Sequence, residues 1–189
     1  MKASASRYQQ AFPGHHAVLP VIHVDTLEQA QRNAQIAREA GADGAFLINH
    51  GMADEALLDI HAAVAGKQTG RDARVPGCVY FGGVAFKYQR HVEDLEAACR
   101  VAARYMDVVT TSGPGTGHAA EVEKIRRMKQ TLGSTPLGIA SGIAPENIGH
   151  YLAHADCFLV ATGISRSLTE LDPARVLALV QRVARFNGQ

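Results

Sequence analysis

The C-terminal third of this chain repeats one pattern: an apolar run, a small hydroxyl residue, a glycine, then a stretch of helical character. It reads DVVTTSG from Asp107 to Gly113, PLGIASG from Pro136 to Gly142, and CFLVATG from Cys157 to Gly163. An apolar run that stops at Ser-Gly or Thr-Gly is the expected form of a parallel strand buried on both faces. Its C-terminal end opens a site lined by backbone, because glycine lets the main chain approach a ligand closely. The first amides of a following helix would present unpaired N–H groups there. The GTGHAAEVEK and APENIGHYL segments are read as such helix starts. This series predicts an α/β barrel that holds an anion on its C-terminal rim.

The rest of the chain continues the alternation. A strand over Ala17–Val24 is followed by a helix from Leu27 to Ala40, with Thr26 as N-cap, Gln29 as a capping-box partner and Gly41 as the stop. A second strand over Gly44–Gly51 precedes a helix from Asp54 to about Val64, and a third over Gly77–Phe86 precedes one from about Val92 to Tyr105. A helix from Pro173 to about Phe186 closes the chain. The expectation is one domain over residues 1–189, with residues 1–16 as an N-terminal arm and about six βα units. The units form a TIM-barrel-like parallel sheet, a truncated or incomplete (β/α)8 barrel. Gly66–Gly77 lacks any hydrophobic period, so 66–76 reads as an irregular join where about two units are missing, or as a long loop over the rim. Core positions are expected at Val21, Ile22, Phe46, Ile48, Val79, Val108, Ile139, Leu159 and Val160.

Charge and cysteine usage narrow the partners. A formal net charge of +1, with lysine and arginine dispersed, argues against nucleic acid. Cys78, Cys99 and Cys157 have no metal-ligand spacing and read as small buried hydrophobes. No apolar run approaches the roughly 20 residues of a membrane span, and the first residues hold no apolar signal core. A cytoplasmic protein without a membrane partner is expected.

The segments VIHV, GADGAFLINHG, DVVTTSGPGTG and ASGIAPENIGHYLAHADCFLVATGIS resemble the BtpA-type TIM barrels, which belong among the ribulose-phosphate-binding barrels. The resemblance covers Val18–Asp25, Gly41–Gly51 and most of Gly77–Ser165, and it departs around residues 62–76. It implies a phosphate cradle at Ser141, Gly142, Thr162 and Gly163. It also implies a phosphorylated or ribosyl small molecule as ligand, handled by a nucleosidase or phosphosugar enzyme or by a protein that only binds it. A shared fold does not fix a reaction.

Several rim residues carry candidate chemistry. His23 and Asp25 share one face of the first strand, whereas Asn49 and His50 point to opposite sides of the second, so only one of them faces inward. His23, Asp25 and His50 can serve as acid–base groups; alternatively His23 caps the interior and Asp25 begins the following helix. No HxH or HExxH pattern marks a metal, and neither metal nor cofactor is expected. Lys87, between Phe86 and Tyr88, reads as a Schiff-base amine, as an anion contact or as a plain turn lysine. The SGPGTG stretch, with Ser112, Gly113, Gly115 and Thr116, reads as a ligand loop or a tight βα turn. A β-branched residue at Gly163 is expected to block the cradle and leave the fold intact. Missing units would leave unprotected strand edges, so a homo-oligomer is expected.

Overall fold

The structure is a computed structural model that describes residues 6–13, 16–53, 55–56, 58–60 and 79–188. Six parallel strands form one sheet: β1 Ala17–Val24, β2 Phe46–Asn49, β3 Phe81–Gly83, β4 Val108–Thr111, β5 Leu137–Ile139 and β6 Cys157–Val160. Their order is β2-β1-β6-β5-β4-β3. Helices α1 Arg7–Ala11, α2 Leu27–Glu39, α3 Leu95–Ala102, α4 Val122–Leu132 and α5 Pro173–Asn187 accompany them. This is the curled half-barrel that the alternation predicts. The sheet bends until its outermost strands touch: the rings of Phe46, which begins β2, and Phe81, which begins β3, meet edge to face at 5.3 Å and 85°. The contact closes the N-terminal end of the curl, while Ile48, further along β2, is 38% exposed.

Strand periodicity divides the core in two. Val18 and Ile22 of β1 face α2 and join the large cluster that includes Ala30, Ile125, Met128, Ile139, Phe158 and Leu179. Ala17 and Leu19 point the other way, into a small interior cluster with Val108, Cys157 and Tyr8. Tyr8 comes from α1, and its hydroxyl donates to the Asp156 carbonyl at 2.7 Å. Burial pushes the Tyr8 phenol well above its ordinary value. Residues 7–11 of the expected N-terminal arm thus form α1, and Tyr8 packs into the small core of the curl.

One side-chain device recurs at the base of the sheet. Asp43, Asp107 and Asp156 each stand just ahead of a strand and accept the amide at the start of its neighbour. The amides are those of Val18 at 2.8 Å, Tyr80 at 2.9 Å and Leu137 at 2.8 Å. β1 is thereby tied to β2, β3 to β4, and β5 to β6. Asp156 also holds Lys129 Nζ at 2.8 Å.

Several expectations need correction. The run after β5 is not an α-helix. It is a chain of tight turns around a 3₁₀ helix at Ile148–His150, with bonds three residues apart such as Tyr151 N–H to Ile148 C=O. Asn147 explains this, because its side chain accepts from Ala144 N–H and donates to Gly142 C=O, so it competes with a helical ladder. β3 is far shorter than Gly77–Phe86, since the chain turns at Val84–Ala85. Of the expected core, Val21, Ile22, Val108, Ile139 and Val160 are buried, and Phe46, Val79 and Leu159 are partly so. Ile48 is exposed instead. The expected join at 66–76 and Cys78 lie outside the described residues, as does most of the helix expected after β2. Cys99 and Cys157 are buried free thiols, with Cys99 pushed up to about 11 by desolvation. No helix among the described residues is long and apolar enough to cross a membrane.

Asp156→Ala removes one bond from a backbone amide, that of Leu137, and an ion pair from a partly buried site. It is expected to cost about 2 kcal/mol in denaturant unfolding, whereas Asp25→Ala, at an exposed position, should cost under about 0.5 kcal/mol.

Candidate functional site

The C-terminal ends of β5 and β6 are packed backbone on backbone. Gly142 takes φ +68°, and a Cβ there would fall onto the Ala119 amide nitrogen and the His118 carbonyl carbon. A Cβ at Gly163 would fall onto the Ile143 carbonyl oxygen. Both positions thus require glycine, one for its dihedral and both for close approach. The packing brings the amides of Gly142, Ile143 and Gly163 to adjacent strand ends, and they donate to no acceptor among the described residues. The segment after β6 is a single 3₁₀ turn at Thr162–Ile164. The donors are therefore loop amides rather than the first turn of long helices, and little macrodipole supports them.

The side chains of this region are mostly committed elsewhere. Ser141 Oγ lies 3.0 Å from both the Gly115 and His118 carbonyls, so its hydroxyl holds the loop over residues 113–119 instead of facing outward. Thr162 is exposed. Arg166 is paired with Asp172 at 3.1 Å. The cation nearest the β6 loop is instead Arg175 of α5, whose Nε donates to Gly163 C=O at 2.8 Å while Nη2 meets Glu146 at 2.9 Å. Nothing in the sequence spacing signals Arg175, because its role depends on how α5 packs back.

His23 and His50 meet at the mouth of the curl. His23 Nδ1 and His50 Nε2 are 2.5 Å apart, with ring centroids at 4.8 Å and planes 17° from parallel. Centroids that stand one ring radius beyond each nitrogen place the rings side by side in one plane, sharing an N–H···N bond. Asn49 takes the other face, where its Oδ1 accepts from Gly51 and Met52 N–H and shapes the turn. Desolvation, then His50, then Lys87 hold the His23 imidazole below its ordinary value. Asp25 is exposed and is not among the groups that act on His23. Its amide donates to Gln29 Oε1 at 3.1 Å, and Gln29 Nε2 donates to the His23 carbonyl at 3.2 Å. Buried Gln29, read from sequence as a cap, therefore also fixes the strand end that carries His23.

Lys87 sits in an unusual turn. Ala85 at φ 48° and Tyr88 at φ 63° are the non-glycine residues of positive φ among the described residues, and they bracket it. Lys87 N–H donates to Ser112 Oγ at 2.7 Å, and its ammonium stands 6.0 Å from the Phe86 ring centre. The Ser112 hydroxyl donates in turn to Gly113 C=O at 2.8 Å. Thr116 Oγ1 and Tyr88 OH are 3.3 Å apart, a contact that lowers the Tyr88 phenol. Gly115 packs beside the His118 ring. Ser112, Gly113, Gly115 and Thr116 thus shape a loop whose hydroxyls face protein atoms. Beneath it lies a cavity of about 590 Å³ that includes Lys87 and Ser112 but not the His pair or the glycine amides. No group of three or more His, Cys, Asp and Glu among the described residues could hold a metal ion.

A family model described as the BtpA family matches residues 54–185. The fold is similar to (S)-3-O-geranylgeranylglyceryl phosphate synthase from Thermoplasma acidophilum. That match has a TM-score of 0.70 and 15% identity, and covers 95% of this chain and 97% of that one. It is similar also to the enzyme of the same class from Thermoplasma volcanium, at TM-score 0.60 and 13% identity over 96% and 97%. Phosphoribosyl anthranilate isomerase from Thermus thermophilus aligns at TM-score 0.50 and 19% identity over 89% and 99%. No curated protein sequence matches the chain.

His23 makes stability depend on pH. Since the folded state holds His23 below its ordinary 6.5, the unfolded chain binds more protons once pH drops under that value, and stability falls on acidification. His23→Gln should flatten the fall in melting temperature between about pH 7 and about pH 5.5, and it should leave the value near pH 8 almost unchanged. An identical slope in parent and variant would remove His23 from this role.

Proposed function

The chain belongs to the BtpA family, and from that membership and the geometry of its rim we propose that it binds a small phosphorylated or ribosyl molecule. The phosphate group sits at the ends of β5 and β6. One observation carries this reading: the amides of Gly142, Ile143 and Gly163 lie at neighbouring strand ends with no protein acceptor among the described residues. Such amides bind an oxyanion through geometry, with few charged side chains. Thr162 adds an exposed hydroxyl, and Ser141 shapes the loop. A further support is that the Thermoplasma acidophilum synthase was obtained with its substrate sn-glycerol-1-phosphate.

His23 and His50 would act on the ligand at the mouth of the curl. In a shared N–H···N bond one imidazole donates and the other accepts, so the pair sets a proton donor beside an acceptor. Lys87 supplies the positive charge closest to them. A second reading, binding without turnover, is favoured by the position of Asp25, which leaves the pair without that carboxylate to orient it. Release of a sugar, base or phosphate from phosphorylated nucleosides or sugars would decide for chemistry. Its absence alongside intact binding would decide for a binding protein.

We also propose that copies of the chain associate near the outer strands β2 and β3, where Ile48 of β2 and Tyr80, next to β3, are exposed. Light scattering at micromolar concentration should give a mass above 20.2 kDa; a stable monomer refutes it. For the cradle, the expected result is a saturable movement of the Gly142, Ile143 and Gly163 amide signals when ribose 5-phosphate or sn-glycerol-1-phosphate is titrated in. Static signals would remove the cradle from this position. The backbone readout is preferable to Gly163→Val, because a valine there would strike the Ile143 carbonyl and rebuild the loop along with the site.

A further inference from the structure

The cavity beside the Lys87 turn also holds Lys124 and Arg90, which neither the cradle nor the His pair uses. Its volume, about 590 Å³, falls within the range of small-molecule sites. Lys124 stands on α4, and its half-buried ammonium donates to the carbonyls of Ala85 and Ser112, each at 2.8 Å. No carboxylate among the described residues comes within ion-pair distance of this nitrogen. Burial lowers its proton affinity, and the more distant Glu121 only partly offsets this. A cation taken partly out of water normally has a paired counter-charge.

We propose that this cavity is a second oxyanion site, which takes the carboxylate or phosphate group of a small molecule against Lys124, with Lys87 and Arg90 lining the same space. The charge count leaves room for an anion. Glu93, Glu121 and Glu123 also line the cavity, but Glu123 is already held by Arg126 at 2.6 Å. Arg127 is likewise taken by Glu96 at 2.6 Å. Lys87, Arg90 and Lys124 then face Glu93 and Glu121, a surplus of one cation. The wall is built with care: the strained Ala85 carbonyl accepts from both Lys124 and Thr111 Oγ1, the latter at 3.3 Å, and Lys87 N–H is tied to Ser112. Backbone strain of this kind persists only where surrounding contacts over-determine it.

The site is separate from the cradle. Gly113 and Pro114, at the start of the 113–119 loop, line the cavity, while Gly115, His118 and Ala119 further along touch Ser141 and Gly142. The two sites lie on either side of one loop, so each can be tested without the other.

The experiment is a titration of nitrogen-15-labelled protein with sodium phosphate and with sodium succinate, against sodium chloride at matched ionic strength. The amide signals of Leu95, Ser112 and Lys124 should move saturably with at least one of the two anions and not with chloride. The anion that saturates names the group. Lys124→Met, shown to be folded by circular dichroism, should weaken that binding about tenfold or more. Arg90→Gln changes an exposed residue and should weaken it severalfold with the fold untouched. The proposal is overturned if neither anion moves these signals, if chloride moves them equally, or if both variants bind as tightly as the parent. Should Lys124→Met fail to fold, the parent titration and Arg90→Gln decide alone. The cradle is followed in the same spectra through Gly142, Ile143 and Gly163, so failure of one site is read independently of the other.

Discussion

The fold depends on a contact between two rings that lie far apart in sequence. A parallel sheet of six strands has two edges, and Phe46 and Phe81 bring those edges together at the N-terminal end of the curl. Unpaired edges invite association, and a flat sheet this small would expose an entire apolar face. Curling until the outer strands touch gives the inward residues a small core of their own, with Leu19, Val108 and Cys157 against Tyr8. The rim follows from this. His23, Ile48 and His50 gather at the C-terminal ends of β1 and β2, while β5 and β6 remain close enough for their loops to interlock.

Much of this was legible because the sequence repeats its grammar. Alternating strand and helix signals gave a parallel sheet, and Thr26 and Gly41 bounded α2 as expected: Thr26 Oγ1 accepts from Gln29 N–H, and Gly41 takes φ 79°. The aspartates at positions 43, 107 and 156 lay in plain view ahead of three apolar runs, yet their role could not be read. A carboxylate before a strand looks like any polar loop residue until the neighbouring strand's amide is brought against it. The same holds for Tyr8, which sits in a polar arm and finds its partner, the Asp156 carbonyl, only after the sheet has closed.

The candidate site divides along the same line. Gly142 and Gly163 were legible because close backbone approach leaves a mark in sequence that no other residue can make. His23 and His50 were legible through strand parity, which also sent Asn49 to the opposite face. Lys124 and Arg175 were not. Each reaches carbonyls of strand-end loops from the first turn of a helix that packs beside them, and an exposed helix cation has the same local sequence. The serine and threonine hydroxyls misled for a related reason: Ser-Gly at a strand end suggests a ligand, yet Ser112 and Ser141 spend their hydroxyls on the loops themselves.

That expenditure says how the rim divides its labour. Ser141, Asn147, Arg175 and Ser165 all bond to carbonyls of the loops after β4, β5 and β6, so the side chains consume acceptors and leave amides over. A surface whose spare groups are donors attracts an anion irrespective of net charge, which for this chain is only +1. The His pair is placed differently, at the ends of β1 and β2, where Gln29 and the pairing of Val24 with Asn49 steady the end of β1. On the proposed reading, binding falls to backbone amides on one side of the mouth, and proton exchange to side chains on the other. A ligand long enough to touch both would have to lie across the opening of the curl, its phosphate at Gly142 and Gly163 and its reactive end toward His23.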